Sequence, residues 1–254
     1  MKLNVVVSND PRLYNIKFVD NIKGGDTELF LKECHTNYDN SDIKDGHYDR
    51  KCLDFVTDFL KDSIKGTMAI DAGMSIGCNS INYSKIFQLV YSFEPMIDSA
   101  LTAKFNMIYN NCDNVIVFNN AVYVCDTDLS MNISKYQSLS SISLTNKGIH
   151  VDAVKLDSID FPLRVSFIKI DTEGFDLFAL MGATMLIQSD RPLIQIEVNT
   201  ALRNSNTDEN DIYNFLKLID YHAVDIKGRL IEDKTQRVHN SINIFLIPNE
   251  FSKI

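Results

Sequence analysis

The chain has 254 residues, 45% hydrophobic and 23% charged, enough to bury the core of one large domain with a small appendage. A formal net charge of -9 argues against a protein whose affinity rests on neutralising a phosphate backbone, so nucleic acid is an unfavoured partner. Five cysteines, an odd number with no Cys-x-x-Cys pair, fit buried thiols in a reducing compartment better than a disulfide framework. The N-terminal apolar run is too short for a signal peptide and no later stretch reaches membrane-spanning length, so a soluble, cytoplasmic protein without a membrane partner is expected.

In chain order, "KLNVVV" and "YNIKFV" flank "SNDPR", whose Asn-Asp-Pro predicts the turn of a hairpin. A polar stretch from Asn21 to Asp49 follows. Leu53, Val56, Phe59, Leu60 and Ile64 then recur at spacings of three and four, the mark of one helix face. These elements make an N-terminal part, residues 1–66, expected to pack on a domain spanning 67–254.

From Thr67 the pattern alternates: strand "MAID", helix "SIGCNSINYSKIF", strand "LVYSFEP", helix "MIDSALTAKFNMIYN", strand "VIVFNNAV". Strands separated by helices of this length predict a parallel sheet. A Ser/Asn/Thr-rich interval from Asp126 to His150 interrupts the pattern; it reads either as a surface β-hairpin or as the segment that selects a substrate. The alternation resumes with strand "VSFIKID", helix "GFDLFALMGATMLI", strand "LIQIEV" and helix "DENDIYNFLKLID". No helix fits between the final "HAVDI" and "INIFLIP", so these two are expected to be antiparallel neighbours.

Two joints carry the chemistry. In "AIDAGMSIG", Gly73 allows backbone angles closed to other residues and lets a ligand approach the main chain, while Gly77 lets the following helix pack closely. Asp71 and Ala72 replace the first glycine of a dinucleotide fingerprint, and an acid there repels a pyrophosphate. Glu94 ends the next strand, twenty-three residues after Asp71, where doubly wound folds place an acid for ribose hydroxyls. An acid with no phosphate-binding turn suggests a nucleoside with a positive or neutral tail, such as S-adenosylmethionine.

The second joint, "FIKIDTEGFDLFALMGA", puts charges between a strand and a helix. Asp171 and Glu173 are there candidate site residues, or else caps for the helix that follows. Lys169 is expected to point away from the substrate. Glu197, ending "LIQIEV", is a third inward carboxylate. Three such acids could hold a divalent cation, an arrangement the sequence does not favour. His47 is an alternative base in the loop before the first core helix.

The set "AIDAGMSIG", "YSFEP", "NNAV", "AVKLDSI", "FIKIDTEGFDLFALMGA" and "RPLIQIEV" resembles the FkbM family of S-adenosylmethionine-dependent methyltransferases, in order and spacing, from about Tyr48 to the last strand. The resemblance implies an α/β, class I methyltransferase (Rossmann-like) fold: a seven-stranded sheet with its last strand antiparallel. It implies O-methylation of a hydroxyl on a sugar, glycan or other small acceptor. On it, Asp171, Glu173 and Glu197 become the catalytic candidates, with Asp171 as base. Asp71, Gly73, Ser75, Gly77, Glu94, Pro95, Asn120, Ala121 and Asp126 become the cofactor-binding candidates. Two departures stand out: Met74 is bulkier than the family's usual alanine, and "YVCDTD" replaces the usual Ser-Asp after "NNAV". Ribose methyltransferases of the same fold, which act on RNA with two lysines, an aspartate and a glutamate, are the alternative; no lysine lies between Gly174 and Leu186 to supply their second one. A silent binding subunit is a further alternative.

Overall fold

The computed structural model describes residues 3–7, 14–18, 20–24, 27–31, 35, 48–136, 139–143, 145, 147–198, 200–231 and 242–251. Two antiparallel hairpins open the chain: β1 (Leu3–Val7) with β2 (Tyr14–Phe18), as the Asn-Asp-Pro turn predicts, then β3 (Asp20–Gly24) with β4 (Thr27–Leu31). The second lies inside the stretch read only as polar. Its Leu29 and Leu31 are fully buried against Ile76, Ile81 and Met107. Helix α1 (Arg50–Leu60) buries Cys52, Leu53, Val56 and Leu60, and Phe55 stacks on Phe245 with ring centroids 4.0 Å apart.

The core is a sheet in the order β15-β14-β16-β13-β12-β5-β6-β7. Strands β5 (Met68–Ala72), β6 (Leu89–Phe93), β7 (Val115–Phe118), β12 (Val165–Ile170) and β13 (Leu193–Val198) run parallel. Every residue of β5 and β12 is buried, as befits central strands covered on both faces. Helices α2 (Cys78–Ser84), α3 (Ile97–Tyr109), α4 (Asp176–Met181), α5 (Thr184–Asp190) and α6 (Glu209–Ile219) make the connections. Strand β16 (Ile242–Pro248) is antiparallel to β13 and to β14 (Tyr221–Val224), the expected ending. The sheet has eight strands, not seven. Asp225 turns the chain by accepting the backbone N–H groups of Lys227 and Arg229 (2.8 and 2.9 Å), and β15 (Leu230–Ile231) folds back on β14 as a two-residue edge.

Two further elements depart from the sequence reading. "VIVFNNAV" is not one strand: Asn119 Nδ2 donates to the carbonyls of Glu94 and Pro95 (2.9 and 2.8 Å), and the chain leaves the main sheet after Phe118. Its second half, β8 (Ala121–Val122), joins β9 (Thr127–Asn132), β10 (Ser141–Ile142) and β11 (Ile149–Val154) in a separate sheet of order β10-β9-β11-β8. The described residues of the interval from Asp126 to His150 thus supply β9, β10 and the start of β11, with β9 antiparallel to both of the others. The long helix after Gly174 breaks at Gly182, where a Cβ would lie 2.1 Å from the Tyr123 carbonyl oxygen. Asp157 restarts it by accepting the N–H groups of Met185 and Leu186 (3.1 and 3.0 Å).

Cys52, Cys78 and Cys112 are buried and Cys125 is exposed. Among the described residues, no helix is long and apolar enough to cross a membrane.

Candidate active site

At the carboxyl ends of β5, β6, β12 and β13 the sheet opens into a cleft of about 260 Å³. One wall is the turn after β5. Gly73, Ser75 and Gly77 all have positive φ (85°, 50° and 91°), so the backbone coils tightly before α2. Gly73 is required for a reason other than ligand approach: a Cβ there would lie 1.9 Å from the carbonyl oxygen of Asp171 on the neighbouring strand. At Gly77 a Cβ would meet Met107 of α3 at 2.1 Å, which is the close helix packing expected of it. Gly77 does not line the cleft; Gly73, Met74 and Ser75 do. Met74 is buried and rests on Ala100 and Ala103 of α3.

Glu94 follows β6 and is 7% exposed. Its Oε2 accepts the Ser75 N–H (3.0 Å) and its Oε1 the Met96 N–H (2.9 Å), which fixes the carboxyl plane at the cleft wall. Burial lifts its pKa to about 7, against the opposing pull of those two bonds. Pro95 and Ala121 line the cleft beside it, with Val122, Met131, Leu139 and Ile142 forming an apolar side. The last three come from the interval between Asp126 and His150.

Besides Gly77, three more cofactor-binding candidates fall elsewhere. Asp71 is fully buried under the cleft floor, its Oδ2 accepting Ser80 Oγ at 2.6 Å, because its side chain faces α2 rather than the strand end. Asn120 is half-buried and outside the lining. Asp126 is exposed and accepts the Lys155 N–H and the Ser158 hydroxyl (both 2.7 Å), bonds that lower its pKa while tying the segment before β9 to the turn after β11.

The opposite wall is the turn after β12. Asp171, Thr172 and Glu173 line the cleft, and Glu197 reaches it from β13. Lys169 lines it too: its Nζ lies 3.0 Å from Asp171 Oδ2, although Lys169 is only 4% exposed. The expectation that it points away fails because residues two apart on a strand share a face. Burial opposes the ammonium, but the carboxylates of Asp171 and Asp71 outweigh it and hold its pKa above the ordinary lysine value. Glu173 sits in the left-handed region (φ 52°); burial first, then the Asp171 and Glu197 charges, push its pKa up to about 8.

Neither Asp171 nor Glu173 caps the next helix. The first turn of that helix has no side-chain cap; Asp176 instead holds the turn ahead of it, its carboxyl accepting the Thr172 and Gly174 N–H groups (3.3 and 3.2 Å), and burial raises its pKa to about 7. Tyr48, ahead of α1, also lines the cleft and was not singled out from the sequence; its carbonyl is held by Asn82 Nδ2 at 2.7 Å. His47 lies outside the described residues. No three His, Cys, Asp or Glu side chains among the described residues are grouped to hold a metal ion, and a divalent cation finds no support.

The family model of the methyltransferase FkbM domain matches residues 71–223, more than half of the chain and all four strand ends of the cleft. The chain belongs to the FkbM methyltransferase family. Among solved structures, the FkbM methyltransferase of Methylobacillus flagellatus KT superposes with a TM-score of 0.51 at 18% identity, over 76% of this chain and 47% of that one. The present chain thus spans about half the length of that relative. The SMU.1697c protein of Streptococcus mutans, solved in complex with SAH, gives a TM-score of 0.48 at 12% identity over 78% and 96% of the two chains. No curated protein matches. The fold is that of class I methyltransferases, and the FkbM domain here has its cleft between a neutral backbone turn and an acidic one.

Proposed function

We propose that this FkbM-family protein transfers a methyl group from S-adenosylmethionine to a hydroxyl of a sugar, glycan or other small neutral acceptor. The observation that carries the reading is convergence: a carboxyl suited to ribose, Glu94, and an acidic cluster, Asp171, Glu173 and Glu197, line one cleft. The donor set fits the cofactor. Glu94 is held by two N–H groups and keeps lone pairs for two hydroxyls, while Pro95, Ala121 and the apolar side suit a flat base. The turn at Gly73 to Ser75 suits the amino-acid tail. Bound there, S-adenosylmethionine supplies an activated methyl group on a sulfonium.

The remaining work belongs to the chain. Asp171 accepts the hydrogen bond of the acceptor hydroxyl and takes its proton as the oxygen gains the methyl carbon, a contribution of about 10²–10⁴-fold. Positioning of the acceptor oxygen in line with the methyl group contributes more. Glu173, protonated below about pH 8, donates to a neighbouring acceptor oxygen, and Glu197 accepts from another hydroxyl. Anionic acceptors are disfavoured, since the cleft holds four carboxyl groups against one lysine.

The test pairs calorimetry with S-adenosylhomocysteine and methyl transfer from labelled S-adenosylmethionine to a panel of methyl glycosides. Binding in the micromolar range and transfer to at least one neutral glycoside are expected. Absence of cofactor binding, or transfer only to RNA with a steep loss as salt rises, would overturn the reading.

A further inference from the structure

Lys169 is the cation of an acid-rich cleft, and neither the family match nor the sequence gives it a part in the chemistry. It belongs to β12, and its register partners are Asp71 on β5 and Gln195 on β13. An ammonium has three protons to donate, and one goes to Asp171 Oδ2 at 3.0 Å. Asp71 Oδ1 and Gln195 Oε1, on the flanking strands, are buried acceptors without a hydrogen-bond partner among the described residues. The lysine thus stands among three acceptors and is directed to the one that faces the cleft.

We propose that Lys169 is a positioning residue for methyl transfer, its ammonium pairing with the Asp171 carboxylate and keeping it aimed at the acceptor hydroxyl. This rests on the reading of Asp171 as the group that meets the acceptor. A lysine that only neutralised buried Asp71 would have no need of the cleft or of Asp171. The acids around the pair are Asp71 from β5, Glu94 after β6, Glu173 on the same turn, Asp176 in α4 and Glu197 from β13. The neutral titratable groups near it are Tyr48, Tyr83 of α2 and Cys52 of α1. Among these, Lys169 is the cation, and its charge opposes proton uptake by Asp71 and Glu173.

The experiment compares Lys169→Met, Lys169→Arg and the parent in methyl transfer to the glycoside panel between pH 5.5 and 9.5. Turnover of Lys169→Met should fall about 10²-fold with S-adenosylhomocysteine affinity unchanged, and the acid limb of its rate profile should move up by about one pH unit. Lys169→Arg should restore the position of the limb. An unshifted limb in Lys169→Met, with an active parent, overturns this inference alone; a parent inactive on every glycoside overturns the O-methylation reading with it. Should Lys169→Met not fold, the ammonium signal of Lys169 in ¹⁵N-labelled protein decides. It should shift on Asp171→Asn, and an unchanged signal would refute the pairing.

Discussion

The two strand-end turns that face each other across the cleft solve the same steric problem with opposite materials. After β5 the chain coils through positive φ at Gly73, Ser75 and Gly77, and presents mainly backbone; its acid, Asp71, is turned under the floor and satisfied in part by Ser80. After β12 the chain coils through positive φ at Glu173 and Gly174, and presents charge: Asp171 and Glu173 line the cleft with Lys169 beneath. The first turn offers shape, which at Gly73 leaves no room for a Cβ. The second offers side chains, among them Glu173, whose protonation burial and neighbouring charges set. They are not independent, because the Asp171 carbonyl occupies the space a Cβ on Gly73 would need.

The sharpest way to break this division is Gly73→Ala. The new methyl would meet the Asp171 backbone at 1.9 Å in a residue held at φ 85°, so both turns must shift. A loss of more than about 2 kcal/mol in a denaturant titration is expected, together with loss of S-adenosylhomocysteine binding and of turnover. A fully stable, active variant would show that the turns are not interlocked. Next in size, Asp171→Asn should lower turnover by about 10²–10⁴-fold while leaving cofactor affinity intact, since it changes the charged turn alone. Full activity in that variant would return Asp171 to a structural part.

Glu94→Ala tests the opposite wall. It removes the carboxyl offered to the ribose, and calorimetry should record a drop of at least about tenfold in S-adenosylhomocysteine affinity.

The effect of pH is more modest and is centred on Glu173. With its pKa raised to about 8, the folded state keeps a proton that the unfolded chain releases in the ordinary carboxylate range. Its contribution to stability is therefore complete at acid pH and is lost as pH rises through about 8. Glu173→Gln should flatten that decline in thermal melts and remove the corresponding alkaline fall in turnover; melts with the parent's slope would place its titration elsewhere. The smallest effect belongs to Asp126→Ala, which should leave cofactor affinity unchanged, because Asp126 serves the β11 turn rather than the cleft.

Much of the site was legible in the sequence because strand-end acids announce themselves by position. Glu94, Asp171, Glu173 and Glu197 all follow or end apolar runs, and all four line the cleft. What stayed hidden depended in part on partners outside the local pattern. Asp71 has the same local signature as Asp171, yet Ser80 on α2 claims it. The hairpin β3 and β4 was lost in polar residues, although Gly24, Gly25 and Asp26 between "NIK" and "TELF" gave a turn signal. The helix break at Gly182 depends on the Tyr123 carbonyl and on Asp157, neither visible from the helical run itself. Lys169 could have been placed from strand parity alone: two residues before Asp171, it has to share its face.

The departure of the chain from the main sheet at Asn119 makes the small sheet β10-β9-β11-β8 a replaceable cassette. It enters after Phe118 and leaves by the turn that Asp126 and Asp157 fasten, and it lends Met131, Leu139, Ser140 and Ile142 to the cleft without supplying any rung of the central ladder. Grafting residues 127–149 from another family member would thus rebuild the apolar side of the cleft with Asp171, Glu173 and Glu197 left in place.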